Sequence, residues 1–465
     1  MMLKIITFLA VQGVGAFVRP SLPLVAGNRL SKNHLEAGAQ SPTVARGDQV
    51  NSPRSVARLQ RPGRLPVWPA WNGVFFIVLD ILKQRELAAK LEDWLGGRVC
   101  PMQLEADADP FILLVHHRHS FQKFDPFRAA FRALIAEGFP SHPHRGFETV
   151  TYVLPGKRGL VHRDSLGVKM RYSDGQAQWM TAGRGMLHEE MWETDMNEDD
   201  GDDDDDDDQA SLKAQGLLGT SEAELYQLWL NLPPESKMCE PKIQLVTPFA
   251  VAAPPLVPTD VSPVKIVELS EVTVGAPNGG DASGSGGGET QPTTNVRVLS
   301  GHDPVHGVVS ETSTASPVTI VHSTLEAGAT WSLQLPAAFT ALIYVRKGRV
   351  EVVGDTAVST DASATSPTVV AVHELAYLAR GGDGVVLRNV GSGAGEEADV
   401  MVFAGLPLNA PVASSGTMVM NSNAQVEQAF EDYQRGDFGV PWDHKIPDGT
   451  WRAQVESWKR SRKCP

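Results

Sequence analysis

His142-Pro143-His144-Arg145-Gly146-Phe147-Glu148, answered further along by Gly183-Arg184-Gly185-Met186-Leu187-His188-Glu189-Glu190, is the stretch on which the reading of this 465-residue chain turns. In each half, two potential metal donors stand one residue apart: His142 with His144, and His188 with Glu190. Residues i and i+2 of a strand point to the same face, so each pair can aim both side chains into one cavity. Two such strands facing each other supply three nitrogens and one oxygen to a single ion. That donor set suits iron, manganese, nickel, copper or zinc far better than calcium or magnesium, which ask for oxygen ligands.

The residues around the motif support strands. Glu148-Thr149-Val150-Thr151-Tyr152-Val153-Leu154 is β-branched and aromatic-rich and is stopped by Pro155-Gly156. Gly175 to Gly183 reads as a turn, a short strand and a second glycine-marked turn, so that His188 and Glu190 begin a further extended segment. Glu148 shares the parity of His142 and His144 and rivals Glu190 as the carboxylate of the site. The spacings H-x-H-x3-E and G-x5-T-x-G-x4-H resemble the two-part signature of the cupin β-barrels. The second part departs from it: the superfamily usually has proline where Thr181 stands, and two fewer residues before the histidine.

Other histidines carry less information. His116, His117 and His119 form a local cluster without a matching second half, and solvated side chains are expected there. Cys100, Cys239 and Cys464 are far apart and odd in number, which gives neither a disulfide framework nor a zinc spacing. Any redox chemistry then belongs to the metal.

The match extends over several long blocks. Gly138-Phe139-Pro140-Ser141 leads into the first motif, and Gln178-Trp179-Met180-Thr181-Ala182 into the second. Gln227-Leu228-Trp229-Leu230-Asn231-Leu232-Pro233, Ala404 through Val412 and Val419-Met420-Asn421 follow. Over about residues 95 to 435 the chain resembles the pirins, two-barrel members of the cupin superfamily. The resemblance implies an all-β fold of two cupin-type double-stranded β-helix barrels, a bicupin, with a short C-terminal helical tail. It implies iron (Fe2+/Fe3+) held by His142, His144, His188 and Glu190, with Glu148 in support; other first-row divalent metals fit the same donors. One departure lies upstream, where Val115-His116-His117-Arg118-His119 and an extra stretch to Glu137 replace the family's usual acidic continuation after Asp109-Pro110-Phe111.

Two functions follow from that likeness. Some bacterial members have quercetin 2,3-dioxygenase activity; a site of that kind takes a flavonol-like small molecule, with Glu190 or Glu148 as the group that removes its hydroxyl proton. Animal members point instead to an iron-dependent redox sensor acting as a transcription cofactor through a protein partner. An open coordination position argues for reactivity, and the enzyme reading is the first expectation.

Composition places the rest. The net charge is −14, yet residues 193–208 alone carry twelve acids and no base, leaving the remainder near −2. Such a run repels itself into a disordered insertion, expected over 193–210. No basic stripe with interleaved aromatics survives to suggest direct nucleic-acid binding, and no apolar run is long enough to span a membrane; a monomer is expected. The first barrel is assigned to 95–240 and the second to 241–425, with a flexible Gly/Ser-rich insertion at 275–294. His302, His306, His322 and His373 show no H-x-H pairing, so the second barrel is read as structural or as a partner surface. Amphipathic patterning predicts a helical tail over 426–465. Residues 1–16 have the parts of a secretory signal, and 17–65, beginning Phe17-Val18-Arg19-Pro20, look like a disordered transit-type leader. Together they suggest a plastid address; an incorrectly placed gene start would return the protein to nucleus or cytoplasm.

Overall fold

The computed structural model describes residues 50–63, 65–66, 82, 97–121, 136–193, 222–248, 264–275, 291–354, 367–393 and 395–463. The signal segment, most of the leader, nearly all of the acidic insertion and most of the 275–294 insertion lie outside the described residues. Among the described residues, two α-helices accompany a β-strand architecture, and no described helix is long and apolar enough to cross a membrane.

A fourteen-stranded sheet runs through both barrels. Its first-barrel part contains Ala177–Thr181, Phe147–Val153, Glu222–Asn231, Phe111–Ser120 and Gly97–Gln103; its second-barrel part contains Leu375–Leu378, Thr340–Lys347, Ala398–Gly405, Val318–Leu325 and Thr293–Ser300. The two parts meet where Lys242–Pro248 runs parallel to Lys265–Gly275. Lys242–Pro248 also pairs antiparallel with Ala177–Thr181, so a strand just beyond residue 241 completes the first barrel's sheet. Each barrel is closed by a four-stranded sheet: Gly138–His144, Met186–Trp192, Leu160–Asp164 and Lys169–Tyr172 in the first, Thr330–Gln334, Gly384–Asn389, Arg349–Val352 and Thr368–Ala371 in the second.

Burial patterns follow from this layering. Phe147–Val153 is buried at every position, because one face looks into the first barrel and the other against the second. Val150, Tyr152 and Trp179 pack on that second side with Leu342, Tyr344 and Phe403. Thr330–Gln334 alternates instead, with Trp331 and Leu333 turned into the second core and its neighbours half-buried. Each fully buried aliphatic side chain contributes about 1.5–3 kcal/mol over its exposed state.

The seam between the barrels is also polar. Tyr152 Oη and His322 Nδ1 are 2.8 Å apart, and His116 bridges Tyr344 Oη at 3.0 Å and Glu224 Oε1 at 2.9 Å. Arg346 reaches Glu224 at 3.3 Å and pairs with Asp399. His116, His117 and His119 are therefore buried, contrary to the solvated cluster expected from sequence. Alternation sends His116 to the seam, while His117 and His119 meet Trp192 inside the first barrel.

The end of the expected 17–65 leader, from residue 50, lies within the fold, while residues 17–49 lie outside the described residues. Val56–Gln60 pairs antiparallel with Leu375–Leu378, and Arg54, 2% exposed, donates to the carbonyls of Pro336, Phe339 and Gly382. Strand formation there is carried by a long-range partner that local composition does not reveal.

The helical tail is present as α1, Asn423–Gln434, and α2, Asp448–Lys463. Ser422 caps α1 by accepting from Gln425 N, a cap worth about 1 kcal/mol. Trp442, Trp451 and Phe438 pack against Leu187, Met418 and Met420. The tail thus covers the outer face of Met186–Trp192, whose inner face carries His188 and Glu190.

Candidate metal centre

Strand pairing in the small sheet of the first barrel assembles the site. His142 is the direct partner of His188, and His144 the partner of Met186. The chain then turns at Gly146, whose φ of +85° and near contact leave no room for a side chain: a Cβ would lie 2.0 Å from the Val419 carbonyl oxygen. On the other edge of Met186–Trp192, Glu190 is the direct partner of His162 and His188 of Asp164. Directly opposed residues share a face of the sheet, so two strand neighbours converge on His188 and Glu190.

The three sequence-predicted histidines come together. Ring nitrogens of His142, His144 and His188 lie within 4.8 Å of one another, and His142 Nε2 is 3.0 Å from His188 Nε2. His142 Nδ1 donates to the Pro140 carbonyl at 2.9 Å, which leaves the Nε2 lone pair facing the site. Both nitrogens of His144 and Nδ1 of His188 are buried without a hydrogen-bond partner. Orphaned buried nitrogens are costly unless something occupies them, and a soft-to-borderline cation is the partner this donor set fits.

Electrostatics agree. Burial pushes the His142 imidazolium down to about 4, with His162 adding to the shift and the Pro140 carbonyl opposing it. Burial, then the neighbouring imidazoles, hold His144 and His188 well below the ordinary histidine value. Neutral imidazole is the ligating form.

Glu190 stands beside these rings, 1% exposed. Its Oε1 accepts from Tyr172 Oη at 2.6 Å and Thr151 Oγ1 at 3.2 Å, and its Oε2 from Gln227 Nε2 at 3.1 Å. Burial raises its pKa, and these three donors pull against that rise. A fixed, desolvated carboxylate next to neutral imidazoles can balance a cation's charge or accept a proton.

Glu148 is placed elsewhere, so the parity that made it a rival carboxylate does not hold. Gly138–His144 and Phe147–Val153 belong to different sheets, and the interruption at Arg145 and Gly146 resets which side chains share a face. Thr151 points toward Glu190, whereas Glu148, of opposite parity, accepts from Thr181 Oγ1 at 2.6 Å on the side facing the second barrel. Burial raises its pKa there as well.

Sequence reasoning missed His162 and Asp164. His162 joins His188 and Glu190 in a second group of donor atoms within 4.8 Å of one another. The signal that could have found it is His162-x-Asp164 on Leu160–Asp164, another one-apart pair of donors on a short strand.

Comparison with known proteins fits this geometry. Residues 97–230 match the family model of pirin, and residues 320–439 that of the pirin C-terminal cupin domain. Pirin-1 of Arabidopsis thaliana is 30% identical over 331 residues, covering 71% of this chain and 84% of the relative. Pirin of Rattus norvegicus is 29% identical over 382 residues, covering 82% and 97%. A Vibrio cholerae protein provisionally named quercetin 2,3-dioxygenase is 29% identical over 321 residues, covering 68% and 86%. Among solved structures, a quercetin 2,3-dioxygenase from Acinetobacter baumannii has the same fold, with a TM-score of 0.54 at 23% identity over 84% of this chain and 99% of that one. Two cupin domains, each matched by its own family model, and relatives aligned over most of their length show that this chain belongs to the pirin family.

Proposed function

We propose that this protein binds iron in its first barrel through His142, His144, His188 and Glu190 and acts as a quercetin 2,3-dioxygenase-type oxygenase. The observation that carries the reading is the set of partnerless, buried imidazole nitrogens facing His188 and its neighbour Glu190. The relative named as a quercetin 2,3-dioxygenase supports the substrate class. In the reaction, a flavonol and dioxygen give a ring-opened ester and carbon monoxide.

Glu190 is the base of this scheme. Burial raises its pKa, so the carboxylate is a better proton acceptor than a solvated one. Tyr172, Thr151 and Gln227 hold both its oxygens in position, which keeps the acceptor aligned with a flavonol hydroxyl presented at the imidazole cluster. Phe147 and Trp229 pack around His144, at centroid distances of 5.1 and 5.8 Å, and keep water from that ring. When bound, iron would supply Lewis acidity toward the deprotonated substrate and the one-electron chemistry that dioxygen needs.

Incubation of the iron-loaded protein with quercetin in air tests this. Loss of the flavonol absorbance with release of carbon monoxide is expected, and both should vanish in His142→Ala and His188→Ala. Equal rates in wild type and in these two variants would sink the enzyme reading.

A further inference from the structure

The donor set proposed above gives no role to the interior imidazole of His162. His162 is fully buried, its Nε2 lies 3.0 Å from Asp164 Oδ2, and its Nδ1 has no hydrogen-bond partner. Asp164 is itself fixed, since its Oδ1 accepts from the backbone N–H of Leu166 at 2.8 Å and of Val168 at 3.0 Å. A core histidine kept for packing would have both nitrogens satisfied; this one presents a free nitrogen among other free nitrogens.

We infer that His162 is a metal-binding side chain: with His188 and Glu190 it forms an inner donor set that shares His188 with the outer set of His142, His144 and His188. The inference rests on the reading of the first barrel as a transition-metal site. Three observations carry it. The atoms of the inner set lie within 4.8 Å of one another, as those of the outer set do. His162 Nε2–H donates to the carboxylate of Asp164, and a carboxylate on one ring nitrogen fixes the tautomer and makes the other a better ligand.

Strand register supplies the third. On the Gly138–His144 side the pairing sets His188 opposite His142 and, after a slip in register, Glu190 opposite Phe139. On the Leu160–Asp164 side the register is regular and sets Glu190 opposite His162. Direct opposition puts this anionic donor and His162 on the same face of the sheet. The outer set by itself consists of neutral imidazoles only; the inner set brings a negative charge to balance a dication.

Cobalt(II) titration of the metal-free full-length protein, followed by its visible d–d absorption, tests this with a readout independent of turnover. Two variants are needed. His162→Gln removes the ring. Asp164→Asn can keep an oxygen for the Leu166 and Val168 N–H groups while turning an amide donor toward Nε2, which drives the ring proton to Nδ1 and blocks ligation without removing the imidazole. Both should weaken Co(II) binding tenfold or more and alter the d–d bands, with circular dichroism unchanged in Asp164→Asn. Wild-type affinity and bands in both variants would overturn the role of His162 alone. A wild type that takes up no Co(II) would overturn the metal-site reading and this inference with it.

Discussion

Tyr172 Oη donates to Glu190 Oε1 across 2.6 Å inside the first barrel, joining the last strand of the small sheet to the carboxylate of the candidate site. This hydrogen bond works against burial, which raises the Glu190 pKa. Tyr172→Phe removes it without changing the ring's volume. The Glu190 pKa should rise further, moving the acid limb of the pH–rate profile for quercetin to higher pH, with turnover falling roughly tenfold or more. Rates measured across pH for the two proteins check the direction. Loss of a buried hydrogen bond should also cost about 1–2 kcal/mol in thermal unfolding.

Histidines buried in their neutral form make the metal-free protein sensitive to mild acid. His142 titrates in the fold at about 4, whereas in the unfolded chain it takes its proton near pH 6.5. Between these values the unfolded state binds more protons, so stability falls as pH drops from about 6.5 toward about 4. His144 and His188 shift in the same direction, and burial is the first cause in each. Denaturant unfolding of metal-free protein should show this slope, and His144→Leu should flatten it.

The seam between barrels titrates over a lower window. Burial alone would raise the Glu224 carboxyl, but the His116 hydrogen bond and charge and the Arg346 charge hold it at about 2. A depressed carboxylate contributes stability that is present above its unfolded value near 4.3 and lost as pH falls through about 2. The contribution at neutral pH is on the order of 3 kcal/mol for a shift of this size. Glu224→Gln should lower the unfolding midpoint at pH 7 and narrow the gap between the proteins as pH approaches 2. A midpoint difference unchanged from pH 7 to pH 2 would contradict the assignment.

Lys237 ties the histidine loop to the C-terminal segment. Its buried ammonium donates to the carbonyl oxygens of Gly146 at 2.8 Å and Val419 at 2.9 Å, and to Asn231 Oδ1. Lys237→Met fills similar volume but leaves those acceptors without a donor, at about 1–3 kcal/mol for each group left unsatisfied. Thermal unfolding should show a clear loss, and metal affinity should fall with it because Gly146 directly follows His144 and Arg145.

Much of this was legible in the chain itself. The spacing of His142, His144, His188 and Glu190 and the β-branched run after Phe147 are local features, and local parity fixes which residues of one strand share a face. The amphipathic tail was legible for the same reason, as α1 and α2 each bury a stripe of their own residues. Val56–Gln60 was not, because it is a strand only through its pairing with Leu375–Leu378.

By itself, then, the sequence determined that three imidazoles and a carboxylate stand one residue apart on two strands of a cupin barrel. Tertiary structure decided which further groups face them. Parity holds only within an unbroken strand, and the turn at Arg145 and Gly146 sends Glu148 to the side of the second barrel. Register between strands is set by long-range pairing. Only the alignment of Leu160–Asp164 with Met186–Trp192 places His162 opposite Glu190, where a free ring nitrogen meets the site.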